Sequence, residues 1–420
     1  MREMKDSGIG WIKKIPGNWN LIRNKYNFTL SKYIIGSKWC ETQLLSLTKN
    51  GVKEINDGEQ TGKVPASLST YQKVAKNDII MCLFDLDCSA VFSGKSNYDG
   101  MISPAYKCFK CNESLNPEYV DFYFRTVFDD RKYMRYSKNV RYSLASDEFL
   151  DLPILVPPID EQKRIAAYLD EQCKKIDEIM IDIQSQIDTL EDYKKSVISE
   201  AVTKGLDPDA VMKDSGISYI GYTPSSWNIR RLKYILQERN ERSVDGSEEL
   251  LSVSQYYGVI PSSENKVRTM QAESLVGYKK VYTGDLVFNK LNPGLARFGS
   301  SEYDGITSPD FAVYVCNGEC NAQFLQYLLK TNRYVASFKG IGCGVGDGFA
   351  RLYTPQLYNF FVSLPPKNEL LKICKFIDDK CSQIDSIIED KKAQLETIEN
   401  YKKSLIYEYV TGKKKVPENE

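Results

Sequence analysis

The sequence repeats itself at half its length. Met4-Lys-Asp-Ser-Gly-Ile9 returns as Met212-Lys-Asp-Ser-Gly-Ile217. Trp19-Asn20 and Lys25-Tyr26 return 208 residues on, as Trp227-Asn228 and Lys233-Tyr234. Leu44-Leu45-Ser46 matches Leu250-Leu251-Ser252, and Tyr98-Asp99-Gly100 with Ser103-Pro104 matches Tyr303-Asp304-Gly305 with Ser308-Pro309. Pro157-Pro158 matches Pro365-Pro366, Cys173 with Ile176-Asp177 matches Cys381 with Ile384-Asp385, and Tyr193-Lys-Lys-Ser196 matches Tyr401-Lys-Lys-Ser404. The order is kept throughout and the spacing drifts by only a few residues. The repeated unit is far longer than a solenoid repeat of about 20 to 50 residues. Any fold for this chain must therefore be built from two related halves.

Each half divides into three. A polar leader (1–19, and 204–228 in the second copy) ends in Pro16 and Trp19, or in Pro224 and Trp227. A mixed region follows (20–158 and 229–366). It holds short β-type runs such as 78–84 and 285–288, bounded by Gly, Asn and Pro, and amphipathic helical stretches such as 117–128 and 322–332. The Pro-Pro pair then marks a helix boundary. Long helices are expected over 159–203 and 367–412, with a polar tail at 413–420.

Composition removes several kinds of chemistry. Hydrophobic residues make up 42% of the 420 and charged residues 27%, which is ordinary for a globular protein and argues against wholesale disorder. Basic and acidic residues number 56 each, so a polyanionic partner would have to meet local basic patches rather than a net positive field. Histidine is absent, which removes Ser–His and Cys–His nucleophiles and imidazole metal ligands. Cys108 and Cys111 form one CxxC, but no second CxxC and no histidine complete a zinc site. Reduced, partly buried thiols are the plainer reading, and no metal is expected. No apolar run approaches the roughly 20 residues of a membrane span, and the first ten residues carry no apolar signal core. A cytoplasmic location is expected.

The helical segments carry a heptad seam. In the first, Cys173, Ile176, Met180, Ile183, Ile187, Leu190, Lys194, Val197 and Ala201 follow a 4-3 spacing. In the second, the series is Cys381, Ile384, Ile388, Lys391, Leu395, Ile398, Lys402, Leu405 and Tyr409, with Lys391 where the first copy has Ile183. The pairing seam is assigned to Ile176, Met180, Ile183, Ile187 and Leu190 with Ile384, Ile388, Leu395 and Ile398. The competing reading is a generic amphipathic helix packed on its own domain. Connectivity fixes the direction. The second mixed region follows the end of the first helix, so a second helix pairing with the first must run back along it. The expected fold is α+β: two α/β domains separated by a pair of long antiparallel coiled-coil helices, with a pseudo-twofold internal repeat.

Two related domains about a twofold axis match the pseudo-symmetry of a DNA duplex, as dimeric readers of half-sites do. Linking two weak readers raises affinity for sites that carry both halves at the right spacing. Basic residues interleaved with tyrosines add to this reading. Arg131, Lys132, Arg135, Lys138 and Arg141 lie among Tyr133, Tyr136 and Tyr142. In the second copy Lys290, Arg297, Arg333, Lys339 and Arg351 are more dispersed. Such side chains neutralise phosphates, and Arg reads guanine bidentately. The candidate DNA contacts are Arg131, Arg135, Lys138, Arg141, Tyr142, Lys290, Arg297, Lys339 and Arg351. Between Lys339 and Arg351 runs a glycine-rich loop whose glycines alternate with a period of two, unlike a nucleotide-binding fingerprint. It reads as a mobile loop that lets backbone approach a ligand. The shared Tyr-Asp-Gly-x-x-Ser-Pro reads as a structural turn entering a strand.

Several segments resemble the specificity (S) subunit of type I restriction–modification systems, the HsdS family. They are the leader Asp6-Ser-Gly-Ile-Gly-Trp-Ile-Lys-Lys-Ile-Pro-Gly-Asn-Trp19 and Leu155-Val-Pro-Pro-Ile-Asp-Glu-Gln-Lys-Arg-Ile-Ala166. In the second copy they are Tyr303-Asp-Gly-Ile-Thr-Ser-Pro-Asp-Phe311 and Gly344-Val-Gly-Asp-Gly-Phe-Ala-Arg-Leu-Tyr353. The resemblance covers essentially the whole chain. One departure is Lys367-Asn-Glu-Leu-Leu371, where the family usually has Glu-Gln-Lys-Arg. The resemblance implies two target-recognition domains, each reading half of a split double-stranded DNA site. The helices would set the unread spacer and dock two methyltransferase (M) subunits, and motor-nuclease (R) subunits would join for restriction. It implies no catalysis and no cofactor in this chain, with S-adenosylmethionine held by the methyltransferase subunit. Consistently, there is no Asn-Pro-Pro-aromatic methyltransferase motif and no Walker A motif; Asn292-Pro-Gly-Leu295 is only a near miss. Two other readings stay open at this point: a two-domain coiled-coil adaptor that does not bind DNA, and a fragment of a single-chain restriction enzyme.

Overall fold

The computed structural model describes residues 2–49, 51–56, 67–129, 131–137, 142–254, 258–264, 274–341, 343–344 and 350–417. The chain divides into two units, Met1–Gln184 with Lys392–Glu420, and Ser185–Lys391. Both boundaries fall inside the long helices, Ile159–Lys204 and Lys367–Val410. Each unit therefore owns a leader, a mixed region, the first half of one long helix and the second half of the other.

In the first unit the leader folds back on itself, Met4–Asp6 pairing antiparallel with Lys14–Pro16. Its turn explains the repeated Asp-Ser-Gly-Ile. Asp6 Oδ1 accepts from the Gly8 amide at 2.8 Å, Ser7 Oγ accepts from the Ile9 amide at 3.0 Å, and Gly8 takes a φ of 70°. Only glycine adopts that conformation without cost. The next strand, Asn20–Arg23, pairs with Pro153–Val156, the strand that runs into the Pro-Pro pair and the long helix. The middle of the unit is a four-stranded sheet, in the order Phe28–Leu30, Lys107–Cys111, Ile79–Met81, Ser93–Lys95. Its inner strands are buried on both faces. Ile79 and Met81 face the main core with the aromatic helix Pro117–Asp129, while Ile80 faces a smaller core with Leu45, Leu47 and Val52. A strand covered on both sides reads as a continuous apolar run, which is what 79–83 is.

The second unit repeats this plan. Met212–Asp214 pairs with Tyr222–Pro224, and Asn228–Arg231 pairs with Phe361–Leu364. The four-stranded sheet runs Leu236–Glu238, Phe311–Cys316, Leu286–Asn289, Phe298–Ser300. The helical stretch expected over 322–332 ends sooner. Ala322–Leu329 stops, and Asn332–Ile341 starts afresh. At the break the Thr331 hydroxyl donates to the Leu328 carbonyl at 2.7 Å, a side-chain bond that competes with the helical ladder. The repeated Tyr-Asp-Gly is a turn in both units. Asp99 and Asp304 each accept a backbone amide, from Lys76 at 3.0 Å and Thr283 at 2.7 Å, and Gly100 and Gly305 open the strands Gly100–Ile102 and Gly305–Thr307. A β-carbon on either glycine would fall against a carbonyl oxygen, that of Gln43 or of Glu249.

Lys330 sits just before that helix break, 5.8 Å over the Phe298 ring, and burial pushes its ammonium down to about 8. The charged form is thus disfavoured in the fold. Between pH 8 and 10.5 the unfolded chain binds the extra proton, so the second unit should gain stability as pH rises through that window. Melting curves of Lys330→Met should lack that rise and lie above wild type at neutral pH. An unchanged pH profile in the variant would remove Lys330 as the source.

The helical halves pack antiparallel inside each unit. In the first unit the Tyr168 and Tyr409 rings meet at a tilt, 4.8 Å between centroids, and nine residues further on Asp177 meets Lys402 at 2.5 Å. In the second unit Lys391 Nζ donates to Gln186 Oε1 at 2.6 Å, and Lys194 meets Asp385 at 2.6 Å. In both, position rises along one helix as it falls along the other. Seam residues Ile176, Ile183, Ile187, Ile384 and Ile388 are all buried, while Met180, Leu190, Leu395 and Ile398 are half-buried. The lysines in the seam are not defects. Lys194 and Lys402 each reach a carboxylate, and Lys391 reaches a glutamine amide. The helix ends also join the main cores. Leu405, Ile406, Tyr409 and Val410 pack in the first unit, and Ala201 and Val202 in the second.

The CxxC is not a metal pair. Three residues apart on one strand, its thiols leave opposite faces: Cys108 lies in the small core and Cys111 against the main one. Burial pushes both thiols up to about 12, so neither offers a thiolate near neutral pH.

Candidate nucleic-acid interface

In the first unit the dense basic stretch is divided. Arg131 adopts a φ of 50°, donates to the Leu86 carbonyl at 3.1 Å and lies 4.3 Å over the Phe128 ring. Lys132 is buried: its Nζ donates to the Thr126 carbonyl at 2.6 Å and sits over Trp11 at 4.5 Å and Tyr407 at 5.0 Å. It ties the mixed region to the leader and to the end of the second long helix. Arg135 is exposed, close to Gly10 of the leader. Tyr142 is exposed, and its carbonyl accepts from the Leu86 amide at 3.1 Å, so Tyr142 and Arg131 meet at Leu86. Lys138 and Arg141 lie outside the described residues.

The second unit gathers its candidates around the segment 289–297. The Leu352 amide donates to the Lys290 carbonyl at 2.9 Å and Leu291 bridges Arg351, so Lys290 and Arg351 come from adjacent backbone segments. Arg351 Nη2 donates to Asp310 Oδ1 at 2.8 Å, and the guanidinium lies 5.8 Å over the Tyr353 ring. Its Nε is buried with no hydrogen-bond partner among the described residues. Burial, then the neighbouring Lys279, pulls the Lys290 ammonium below its ordinary value. Lys339 is exposed at its charge and lays its stem over Gly294, where a β-carbon would collide with it. Arg297 is exposed, and its carbonyl accepts from the Asn289 amide at 2.9 Å. The central part of the glycine-rich loop, 345–349, lies outside the described residues.

Sequence reasoning missed the acidic partners. Glu238 accepts from Lys279 at 3.0 Å and from the Thr354 hydroxyl at 2.7 Å, and these bonds hold its carboxyl below the usual range against the opposing effect of burial. Asp310 faces Arg351. It could have been noticed, because it follows the repeated Ser-Pro where the first copy has Ala105. Asp310 is two-thirds exposed, so its pair with Arg351 is weak in water and is readily exchanged for another acceptor. A guanidinium held in place whose outward Nη2 rests only on an exposed carboxylate suits a planar acceptor such as a guanine edge or a phosphate. Arg351→Ala is expected to weaken binding to a duplex recognised by this unit by about 1–3 kcal/mol. Equal affinity of variant and wild type in salt-matched titrations would take Arg351 off the interface.

No helix among the described residues is long and apolar enough to cross a membrane. No family model matches the chain. Over 371 residues it is 23% identical to the specificity subunit of the type I restriction enzyme MjaVIII of Methanocaldococcus jannaschii, covering 82% of this chain and 80% of that one. Among solved structures, a chain from work on complex assembly and conformational transition of the type I R-M system aligns with a TM-score of 0.68 at 14% identity. It covers 95% of this chain and 99% of its own length, so the two share a fold. The HsdS subunit from Thermoanaerobacter tengcongensis covers 95% and 98%, with a TM-score of 0.49 and 13% identity.

Proposed function

We propose that this chain is the DNA sequence-specificity subunit of a type I restriction–modification complex. The observation that carries the reading is the contrast inside the repeat. The leaders, the helix seams and the strand order are common to both units, while the surfaces of the mixed regions differ. One frame presenting two different surfaces is what a reader of a split, asymmetric site requires. Each mixed region binds one half of the site. Arg131, Arg135, Lys138, Arg141 and Tyr142 serve the first half, and Lys290, Arg297, Lys339 and Arg351 the second. Phosphate contacts set the register and the base contacts give specificity.

On this reading the chain is non-catalytic and works in the cytoplasm. Two methyltransferase subunits dock on it and bring S-adenosylmethionine with them, and motor-nuclease subunits complete the restriction complex. The test is to co-express the chain with its methyltransferase subunit in an unmethylated host and map modified bases across the genome. A two-part motif with a fixed gap is expected. An undivided motif, or no sequence preference, overturns the reading, and an adaptor that does not bind DNA would give the latter.

A further inference from the structure

We propose that Asp310 is a specificity residue of the second unit, and that with Arg351 it reads one G·C base pair of that unit's half-site, Arg351 on the guanine and Asp310 on the cytosine amino group. This rests on the function proposed above and adds the base pair and an acidic reader.

The pair belongs to the surface that differs between the units and not to the shared frame. Asp99 and Asp304 hold the same turn in the two copies, and six residues further along the first has Ala105 where the second has Asp310. At the other end of the mixed region Glu148 accepts from the Ala145 amide and Gln356 from the Tyr353 amide. That shared bond aligns Arg351 with Ser143 of the first copy. The first unit thus lacks both members, although its sheet has the same strand order. Two side chains present together in one copy and absent together from the other fit a difference in what is read.

Their surroundings set the chemistry. Lys290 has Lys279, Glu238, Arg351 and Asp310 as its charged neighbours, so cations outnumber carboxylates there. Glu238 is already bound to Lys279 and Thr354. Asp310 is exposed, and its carboxylate bonds only to Arg351 among the described residues. On a surface that meets phosphates an exposed carboxylate weakens binding to every sequence. Its favourable partner on a duplex is the amino group of a base, cytosine N4 above all.

The geometry matches one base pair. In a G·C pair guanine O6 accepts from cytosine N4, about 2.9 Å away, at the major-groove edge. Arg351 Nη2 and Asp310 Oδ1 lie 2.8 Å apart, so the two pairs can face each other, donor to acceptor and acceptor to donor. Both protein groups keep capacity for this. Asp310 has a second oxygen, and Nη1 and Nη2 carry further N–H groups for guanine O6 and N7. An A·T pair offers the arginine fork a single thymine acceptor beside a methyl group, so G·C is the better fit.

The test uses the full chain co-expressed with its methyltransferase subunit. The methylated motif of wild type should contain a G·C pair in one half that is no longer required in Arg351→Lys or in Asp310→Ala. The other half and the gap should stay as in wild type. Purified complexes are then titrated at one salt concentration with duplexes carrying the site. Replacing the cytosine of that pair by 2-pyrimidinone keeps pairing with guanine but removes the amino group. It should weaken wild type about five- to a hundredfold more than it weakens Asp310→Ala. A residue that only held Arg351 in place would not produce that difference. Asp310→Ala should melt with wild type, because the carboxylate is exposed. An unchanged motif, relaxation at an A·T position or at different positions in the two variants, or no penalty from 2-pyrimidinone in wild type overturns the pair and leaves the proposed function standing. The last of these needs no variant. A wild-type complex without a two-part motif overturns both.

Discussion

Trp227→Ala is expected to cost the second unit about 3–5 kcal/mol, and Trp19→Ala the first unit a similar amount. Both indoles are fully buried. Each joins three parts of its unit. Trp227 Nε1 donates to Glu369 Oε1 at 3.0 Å, at the start of the second long helix. Gly205, just past the end of the first long helix, approaches the same ring so closely that a β-carbon there would lie 3.4 Å from it. In the first unit Trp19 Nε1 donates to Glu161 Oε2 at 3.1 Å, and a β-carbon on Gly412 would lie 3.0 Å from the indole. Both glycines have positive φ, 81° and 72°, the conformation that ends a helix without strain only at glycine. The tryptophan thus holds the start of one long helix to the end of the other, with the leader wrapped over both. Removing Trp227 leaves a cavity and the half-buried Glu369 carboxylate without that donor, two penalties that add, whereas Glu161 keeps the Arg2 guanidinium at 2.7 Å when Trp19 is removed. Trp227→Phe separates them. It keeps most of the ring and should lose only about 1–2 kcal/mol. Two resolved transitions in calorimetry, with only the second unit's displaced, would confirm that the clamp is local. Equal melting of Trp227→Ala and wild type would remove it.

The clamp also marks what the sequence could tell. The leader, the repeat and the seams follow from spacing, because burial on one face of a helix or around an obligatory turn leaves a periodic record. The start of the second helix was less legible. Lys367-Asn-Glu-Leu-Leu371 departs from the family pattern, yet Glu369 makes the same bond to its tryptophan that Glu161 makes. The real change is the next residue. Gln162 binds the Asn116 amide and the carbonyls of Ser114 and Pro157, whereas Leu370 fills the equivalent place with apolar bulk. The candidate DNA contacts were least legible, because a basic side chain in a sequence carries no sign of whether its own fold will occupy it. Lys132 looks like its neighbour Arg135, but one is enclosed between Trp11 and Tyr407 and the other is exposed. Only the structure separates a cation that holds the fold from one that is free to meet a phosphate.

Ile187→Asp should destabilise the second unit by on the order of 4 kcal/mol. Ile187 is 3% exposed in the middle of the seam, beside the turn where Gln186 receives the Lys391 ammonium. Aspartate there forfeits apolar burial and places a carboxylate where water cannot reach it. Burial would raise the new carboxyl's pKa, so the penalty should shrink as pH falls and the group takes up a proton. Ile187→Leu conserves volume and should cost less than about 1.5 kcal/mol. This pattern marks Ile187 as a buried seam position, because an exposed position would tolerate aspartate at any pH. It also reaches function. If the seam fixes the spacing of the two readers, Ile187→Asp should abolish or blur the gap in the methylated motif while leaving each half-sequence recognisable. An unaltered gap and melting temperature would mean that the spacing is set elsewhere in the chain.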